Sequence, residues 1–507
     1  MQITTNPEAD LRPARLDEDF FLPIEMLIDA YKLGHILQYP EGTEVVESNF
    51  TARTSRITGI DYIITMVQPT LVKLDKGWRR FFETPWEVVE ARYKARCLNM
   101  LGDAEFPVDH IKFLWDLQEL PLRFEVLPDG TKLPIGVPML KVRNTVPETF
   151  WLTNYIETWL SQELWQPITT ATQAYRFRTL LDGYAEKTSD VPFLAAIQGH
   201  DFSARGMAGS EAGVASAVGH LTAFIGTDDV AAVDYIDYYY GRNHLDRLVG
   251  ITVPATEHAV MCAGGKDDEK ETYLRLLATY PAGILSVVSD TWDYWKVLTE
   301  LLPDIKDTIM ARDGKLVIRP DSGDPVKIIC GDPDAPDGSP ARLGSIQVLD
   351  GIFGSTVNSK GYKELDPHIG LIYGDSITYD RATAICEGLM ALGYASTNVV
   401  FGIGSYTYQY VTRDTFGFAM KATLVKIDGV WKPIFKDPAT DNGTKKSGRG
   451  YLTVHLNDGV YTLHQADQPF YDPDDQFIVA YENGKFKMWQ DWEDVVDRVG
   501  LHNGTLG

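Results

Sequence analysis

Leu316-Val317-Ile318-Arg319-Pro320-Asp321-Ser322-Gly323-Asp324-Pro325 is the stretch whose reading decides the fold. Leu316, Val317 and Ile318 make a short apolar run rich in β-branched side chains, suited to a strand buried on both faces. Pro320 and Gly323 make further strand unfavourable. Arg319 and Asp321 therefore sit together at the mouth of a buried strand. The guanidinium fork suits a phosphate or a planar polar ring, and the carboxylate suits ribose hydroxyls or magnesium. A surface salt bridge would look the same in isolation. The two readings part on whether other strands end in the same way.

Similar runs recur at 168–171, 193–197, 221–225, 250–253, 284–288, 369–373 and 398–401, alternating with helical segments. Most successive starts lie roughly 25 to 35 residues apart, the length of a strand–helix unit. Eight candidate strands predict a closed parallel β/α barrel, with an open doubly wound sheet as the structural alternative. Polar and glycine residues follow the runs: Gly199-His200-Asp201-Phe202-Ser203-Ala204-Arg205, Gly226-Thr227-Asp228, Pro254 through His258, Ser289-Asp290, Gly374-Asp375-Ser376 and Gly402-Ile403-Gly404-Ser405. Barrel enzymes gather their sites at this end of the strands, and independent surface loops have no reason to repeat the arrangement.

The segments on either side read differently. A strand at 45–50 would deliver Arg53 to its end, helices are expected at 86–101 and 110–117, and strands at 122–126 and 139–142. An aromatic stripe from Trp151 through Tyr155 and Trp159 at helical spacing reads as packing. Beyond Gly404, Asp428-Gly429 and Asn483-Gly484 each sit between strand-like runs and predict two hairpins. The expected architecture is thus α/β: an irregular parallel β/α barrel over 165–410. An accessory mixed or antiparallel sheet domain would combine an N-terminal part (1–164) with C-terminal strands (411–507). Between 331 and 344, residues rich in Pro, Asp and Gly predict a surface insertion, and Lys445, Lys446 and Arg449 predict a flexible basic loop.

Composition limits the partners. Lys and Arg number 47 against 71 Asp and Glu, a net charge of −24, which argues against general nucleic-acid or anionic-membrane binding. A polyphosphate substrate would need a local basic pocket. Four dispersed cysteines form no CxxC pair, and no run could span a bilayer, so a cytoplasmic protein with reduced thiols is expected. The strand-end inventory holds arginines (Arg205, Arg319 and Arg413), carboxylates (Asp228, Asp290, Asp321, Asp375) and His258. Glycines Gly374, Gly402 and Gly404 let backbone N–H groups approach a phosphate. Such a set suits a phosphorylated sugar. His258 suits acid–base work, nucleophilic attack or a hydrogen-bonded structural role.

With these residues in view, the chain resembles the nicotinamide phosphoribosyltransferases, of the type II phosphoribosyltransferase family, over nearly its whole length. The matching blocks run from Asp29-Ala30-Tyr31-Lys32 through Gln166-Pro167-Ile168-Thr169, His200-Asp201-Phe202, Gly226-Thr227-Asp228, Val288-Ser289-Asp290 and Thr412-Arg413-Asp414 to Lys446-Ser447-Gly448-Arg449. The resemblance implies transfer of a phosphoribosyl group from 5-phosphoribosyl-1-pyrophosphate to nicotinamide, with ATP and Mg2+, in a homodimer with shared active sites. Nicotinamide would lie between Phe202 and Tyr31 of the partner subunit, with Asp228 accepting from its carboxamide. Arg205 and Arg319 would contact the pyridine region and the phosphates. Asp321, Gly374 and Asp375 would hold the ribose, and Gly404, Ser405 and Arg413 its phosphate. Arg53, Lys421 and Lys436 look like further phosphate contacts across the subunit interface. His258 looks like the residue phosphorylated by ATP, oriented by Asp290, which with Asp321 would also face magnesium. The chain departs from the family pattern at Ser405, where a glycine is usual, and at Ala419, where a serine is usual.

Overall fold

The computed structural model describes residues 21–241, 248–374, 376–436 and 448–501. Its centre is a curled parallel sheet in the strand order Gly226–Thr227, Gly199–Asp201, Val399–Ile403, Ile369–Tyr373, Asp313–Arg319 and Ala282–Val288. The segment at 251–256 closes the ring. Ile251 exchanges backbone bonds with Ile225 (2.7 Å) and Thr227 (3.0 Å), while Pro254 and Thr256 bond Ser286 at 2.9 and 3.0 Å. The expected irregular parallel barrel is present.

Its composition differs from the expected set of eight. Residues 168–171 are helical, inside the helix Glu157–Thr188, which also runs across the boundary expected between 164 and 165. A short apolar run cannot by itself separate a buried strand from a helix buried on all sides. Here the β-branched residues fit the helix because Thr169 and Thr172 donate their hydroxyls to carbonyls four residues back, at 2.6 and 2.7 Å. The runs at 193–197 and 221–225 are likewise largely helical or turn. The strands begin just after them, so His200, Asp201 and Thr227 lie in strands rather than beyond them.

A second, seven-stranded antiparallel sheet joins both ends of the chain. Its order is Val430–Pro433, Ala419–Ile427, Thr43–Thr51, Pro138–Asn144, Leu122–Val126, Ile478–Glu482 and Lys485–Phe486. Both expected hairpins form, with positive φ at Asp428 and Gly429 and at Asn483 and Gly484, as a two-residue turn with the twist of its strands requires. A third hairpin, Tyr451–Asn457 with Val460–Ala466, turns at Asp458-Gly459. That dipeptide carries the same signal and was not among the expected turns. The 331–344 insertion is folded against its base by ion pairs from Lys327 to Asp332 and Asp334 and from Arg342 to Asp337. The basic loop expected around Lys445 and Lys446 lies outside the described residues. Arg449 pairs with Asp467 at 3.2 Å. Among the described residues no helix is long and apolar enough to cross a membrane.

The antiparallel sheet buries charge as well as hydrocarbon. Lys141, only 2% exposed, pairs with Glu125 at 3.0 Å, donates to the Leu452 carbonyl at 2.8 Å and lies 4.5 Å from the Tyr451 ring centre. Replacing it leaves Glu125 beside buried Glu47 without its main counter-charge. Lys141→Met is therefore expected to cost about 3–5 kcal/mol, read as a lower denaturant midpoint for the sheet's unfolding.

Candidate active site

The strand ends of the barrel surround a cavity of about 760 Å³, lined by Phe202, Arg205, Asp228, Arg319, Asp321, Gly374, Gly404 and Ser405 among others. Eight residues expected at the site from sequence thus meet in one place. A second cavity of about 600 Å³ occupies the barrel interior and shares Phe202, Asp228 and Arg319 with the first. Asp375 lies outside the described residues. His258 and Asp290 stand beside the mouth.

Asp290 ties this rim together. Its side chain is 5% exposed, and Oδ1 faces His258 Nε2 at 3.2 Å. Oδ2 accepts from the Asp321 N–H at 3.0 Å and the Ser322 hydroxyl at 2.5 Å. Arg319 donates to the Thr256 carbonyl at 2.7 Å, and its Nε is buried without a partner. Burial pulls the Arg319 guanidinium below its ordinary value against the opposing pull of Asp321, Asp228 and Asp290. A desolvated cation of this kind gains most when an anion arrives.

Asp228 accepts from Thr252 at 2.6 Å and faces His200 Nε2 at 3.0 Å. Burial raises its carboxyl, but the His200 and Thr252 hydrogen bonds outweigh burial and the net shift is downward. It therefore stays an acceptor through the neutral range. Ser286 Oγ, buried and unpartnered, lines the inner cavity beneath it. Sequence reasoning left out Thr252, Ser286, Ser322 and Ser376 as site residues, since single hydroxyls carry no spacing signal. His200 was quoted within its block and given no role.

The phosphate side is built by close approach. A Cβ on Gly374 would fall 2.5 Å from Asp321 Oδ1, and one on Gly206 would fall 2.0 Å from Ser405 Oγ. The serine at 405 thus fills space that the glycine at 206 leaves. Gln166 and Gln173, from the long helix, donate to the carbonyls of Tyr408 (2.7 Å) and Thr407 (3.1 Å) and hold the 404–408 turn from below. Tyr406 and Tyr410 stack at its rim, centroids 5.4 Å apart.

Arg53, Lys421, Lys436 and Arg413 form a separate group. Burial lowers the Lys421 ammonium, Glu157 opposes this, and Arg53, Lys436 and Arg413 add to it. Arg413 stands with these cations on the accessory side and does not line the cavity beside Ser405. Glu157 links the group to Lys32 at 2.9 Å, next to Tyr31, which is 60% exposed. Ala419 opens the strand that carries Lys421.

The residues present are consistent with magnesium delivered by a substrate. Among the described residues no group of three His, Cys, Asp or Glu is arranged to hold a metal, and both Asp290 oxygens already accept hydrogen bonds. Magnesium commonly binds through one or two carboxylates plus substrate phosphates, and Asp321 with Asp290 could serve that way.

Comparison with known proteins agrees with this architecture. Two solved structures share the fold at low identity: human nicotinic acid phosphoribosyltransferase (TM-score 0.56, 14% identical, covering 94% of this chain and 93% of that one) and nicotinate-nucleotide pyrophosphorylase from Pyrococcus furiosus (TM-score 0.54, 15% identical, covering 95% and 97%). What these structures share with the chain is the fold, the parallel barrel with its antiparallel sheet. The nicotinate phosphoribosyltransferase (NAPRTase) family model matches residues 197–483. Nicotinamide phosphoribosyltransferase from Acinetobacter baylyi is 48% identical over 487 residues, covering 93% of this chain and 96% of its own. The enzymes of that name from Mycoplasma pneumoniae and Xanthomonas campestris pv. campestris are 36% and 32% identical, over 83% and 94% of this chain and 93% and 96% of theirs. The chain belongs to the nicotinate phosphoribosyltransferase family, and it is a pentosyltransferase.

Gly374→Ala is expected to displace Asp321, the flexible partner in that contact, while the barrel stays folded. A carboxylate shifted by about an ångström lowers phosphoribosyl transfer about 100-fold, with an unchanged circular dichroism spectrum as the control.

Proposed function

We propose that the enzyme transfers the 5-phosphoribosyl group of 5-phosphoribosyl-1-pyrophosphate to nicotinamide, giving nicotinamide mononucleotide and pyrophosphate in NAD salvage. The observation that carries this reading is Asp228, an ionised carboxylate beside Phe202 where the two cavities meet. A carboxylate accepts well from a carboxamide NH₂ and repels nicotinate's own carboxylate. Ser286 Oγ offers a donor for the amide oxygen. The ring stacks on Phe202, and Tyr31 of the partner subunit closes the other face in a homodimer. The exposure of Tyr31 supports that arrangement, as does the position of Arg53, Lys421, Lys436 and Arg413 away from the cavity of their own chain.

The ring nitrogen attacks C1 of the ribose as pyrophosphate leaves. Arg205 and Arg319 stabilise the departing charge, while Asp321 and Asp375 hold the sugar. The Gly404–Ser405 backbone and Gly374 allow the 5′-phosphate to approach closely. Asp321 and Asp290 would hold magnesium brought in with the pyrophosphate, which would supply charge neutralisation at the leaving group. Much of the acceleration comes from holding a neutral, weak nucleophile against C1.

His258 takes the coupling role. Its Nε2 faces Asp290 at 3.2 Å, Nδ1 is the nitrogen left for a phosphoryl group, and the side chain is 46% exposed. Phosphorylation there by ATP would draw the equilibrium toward the mononucleotide. His258→Ala is expected to abolish ATP stimulation while basal transfer survives, and intact stimulation in that variant would remove this role.

Nicotinate is the second reading, favoured by the name of the matching family model. Asp228→Ser should raise the nicotinate-to-nicotinamide ratio of kcat/KM by about 10-fold or more. Steady-state assays with both bases decide it, and an unchanged ratio would rule out Asp228 as the reader of the base.

A further inference from the structure

Asp228 receives both its donors on a single oxygen. Thr252 Oγ1 and His200 Nε2 meet Oδ1 at 2.6 and 3.0 Å, so the lone pairs of Oδ2 are left for a ligand. His200 is well placed to enforce this. Its side chain is 12% exposed, and its ring centre lies 4.7 Å from that of Phe202, tilted by 48°. On its other edge the ring abuts the neighbouring strand, where a Cβ on Gly226 would fall 2.8 Å from Nδ1. The imidazole is therefore wedged between Gly226 and Phe202, with its Nε2–H aimed at the carboxylate.

We propose that His200 is a positioning residue that sets the specificity of the base pocket. It holds Asp228 with one oxygen occupied and the other presented to the ring slot, and it braces the Phe202 ring on which the base stacks. The class of base selected is a planar heteroaromatic ring bearing an uncharged NH₂ donor, and a carboxylate in that position meets a fixed anion. Neither contact of His200 involves the phosphate side of the cavity, so its influence falls on the base and not on the sugar donor. This inference rests on Asp228 being the acceptor of the amide.

Three variants test it. His200→Ala removes the donor and the brace. His200→Asn keeps a polar group too short to reach Asp228. His200→Gln returns an N–H near the position of Nε2. The Ala and Asn variants are expected to lose roughly 10- to 100-fold in kcat/KM for nicotinamide, the scale of a hydrogen bond to a charged group. Their KM for 5-phosphoribosyl-1-pyrophosphate should stay within about two-fold, and their preference for nicotinamide over nicotinate should fall. His200→Gln should recover most of the preference. The proposal is overturned if the preference is unchanged in Ala and Asn, if KM for the sugar donor rises in step with that for the base, or if Gln behaves as Ala. Should Ala or Asn fail to fold, the other of the two and Gln still give opposite expectations, and should Gln fail, an unchanged preference in Ala and Asn still overturns the proposal. Asp228→Ser separates the two levels: if it alters base preference while the His200 variants do not, only the positioning role falls. If it too is without effect, the reading of Asp228 falls.

Discussion

Three neighbouring staves of the barrel converge on one buried carboxylate. Asp290 follows the strand Ala282–Val288, the donors Asp321 N–H and Ser322 Oγ follow Asp313–Arg319, and His258 follows the closing segment at 251–256. A buried anion is costly unless its lone pairs are met, and here each oxygen is met by a donor from a different strand end. The arrangement therefore fixes the relative height of those ends. Arg319 adds a further tie to the closing segment through the Thr256 carbonyl. The cavity keeps its shape because these polar contacts cannot be exchanged one at a time for water.

The opposite wall is held from beneath by the long helix. Gln166 and Gln173 reach the carbonyls at 407 and 408, and the buried Tyr408 hydroxyl lies 2.7 Å from His220 Nδ1. His220 Nε2 in turn donates to the Gly226 carbonyl at 3.0 Å. Burial lowers this imidazole to about 3, so it is neutral, with its tautomer set by its two partners. The turn under the phosphate side and the strand that leads to Asp228 are thereby fixed to the same ring. Pro167 and the threonines around it sit within this helix, which is buried along much of its length.

Much of this was legible in the chain. The runs at 284–288, 316–318, 369–373 and 398–401 are apolar, short and bounded by turn residues, and all four are strands. The Asp-Gly and Asn-Gly turns carried their own geometry. The run at 168–171 misled because complete burial erases the periodicity that tells helix from strand, and only the surrounding helix of 32 residues resolves it. Strand ends were legible as a class, since arginine, aspartate and glycine there are costly without a use. Individual hydroxyls such as Thr252 and Ser286 were not, because their roles depend on which strands become neighbours. Arg413 is a related case: its type suggested an anion contact, and only the folded chain brings it near Lys421 with Arg53 and Lys436.

The barrel's ring is not uniform. Five of its junctions are ladders between named strands, whereas the stretch at 251–256 is stitched to its neighbours at two short points, around Ile251 and around Pro254 to Thr256. A seam of that kind parts at lower cost than a continuous ladder, because fewer backbone bonds break together. His258 sits directly beyond it. The most exposed imidazole of the rim thus follows the stave with the fewest backbone bonds, and side-chain contacts to Asp290, Arg319 and Asp228 hold that stave in place of a ladder.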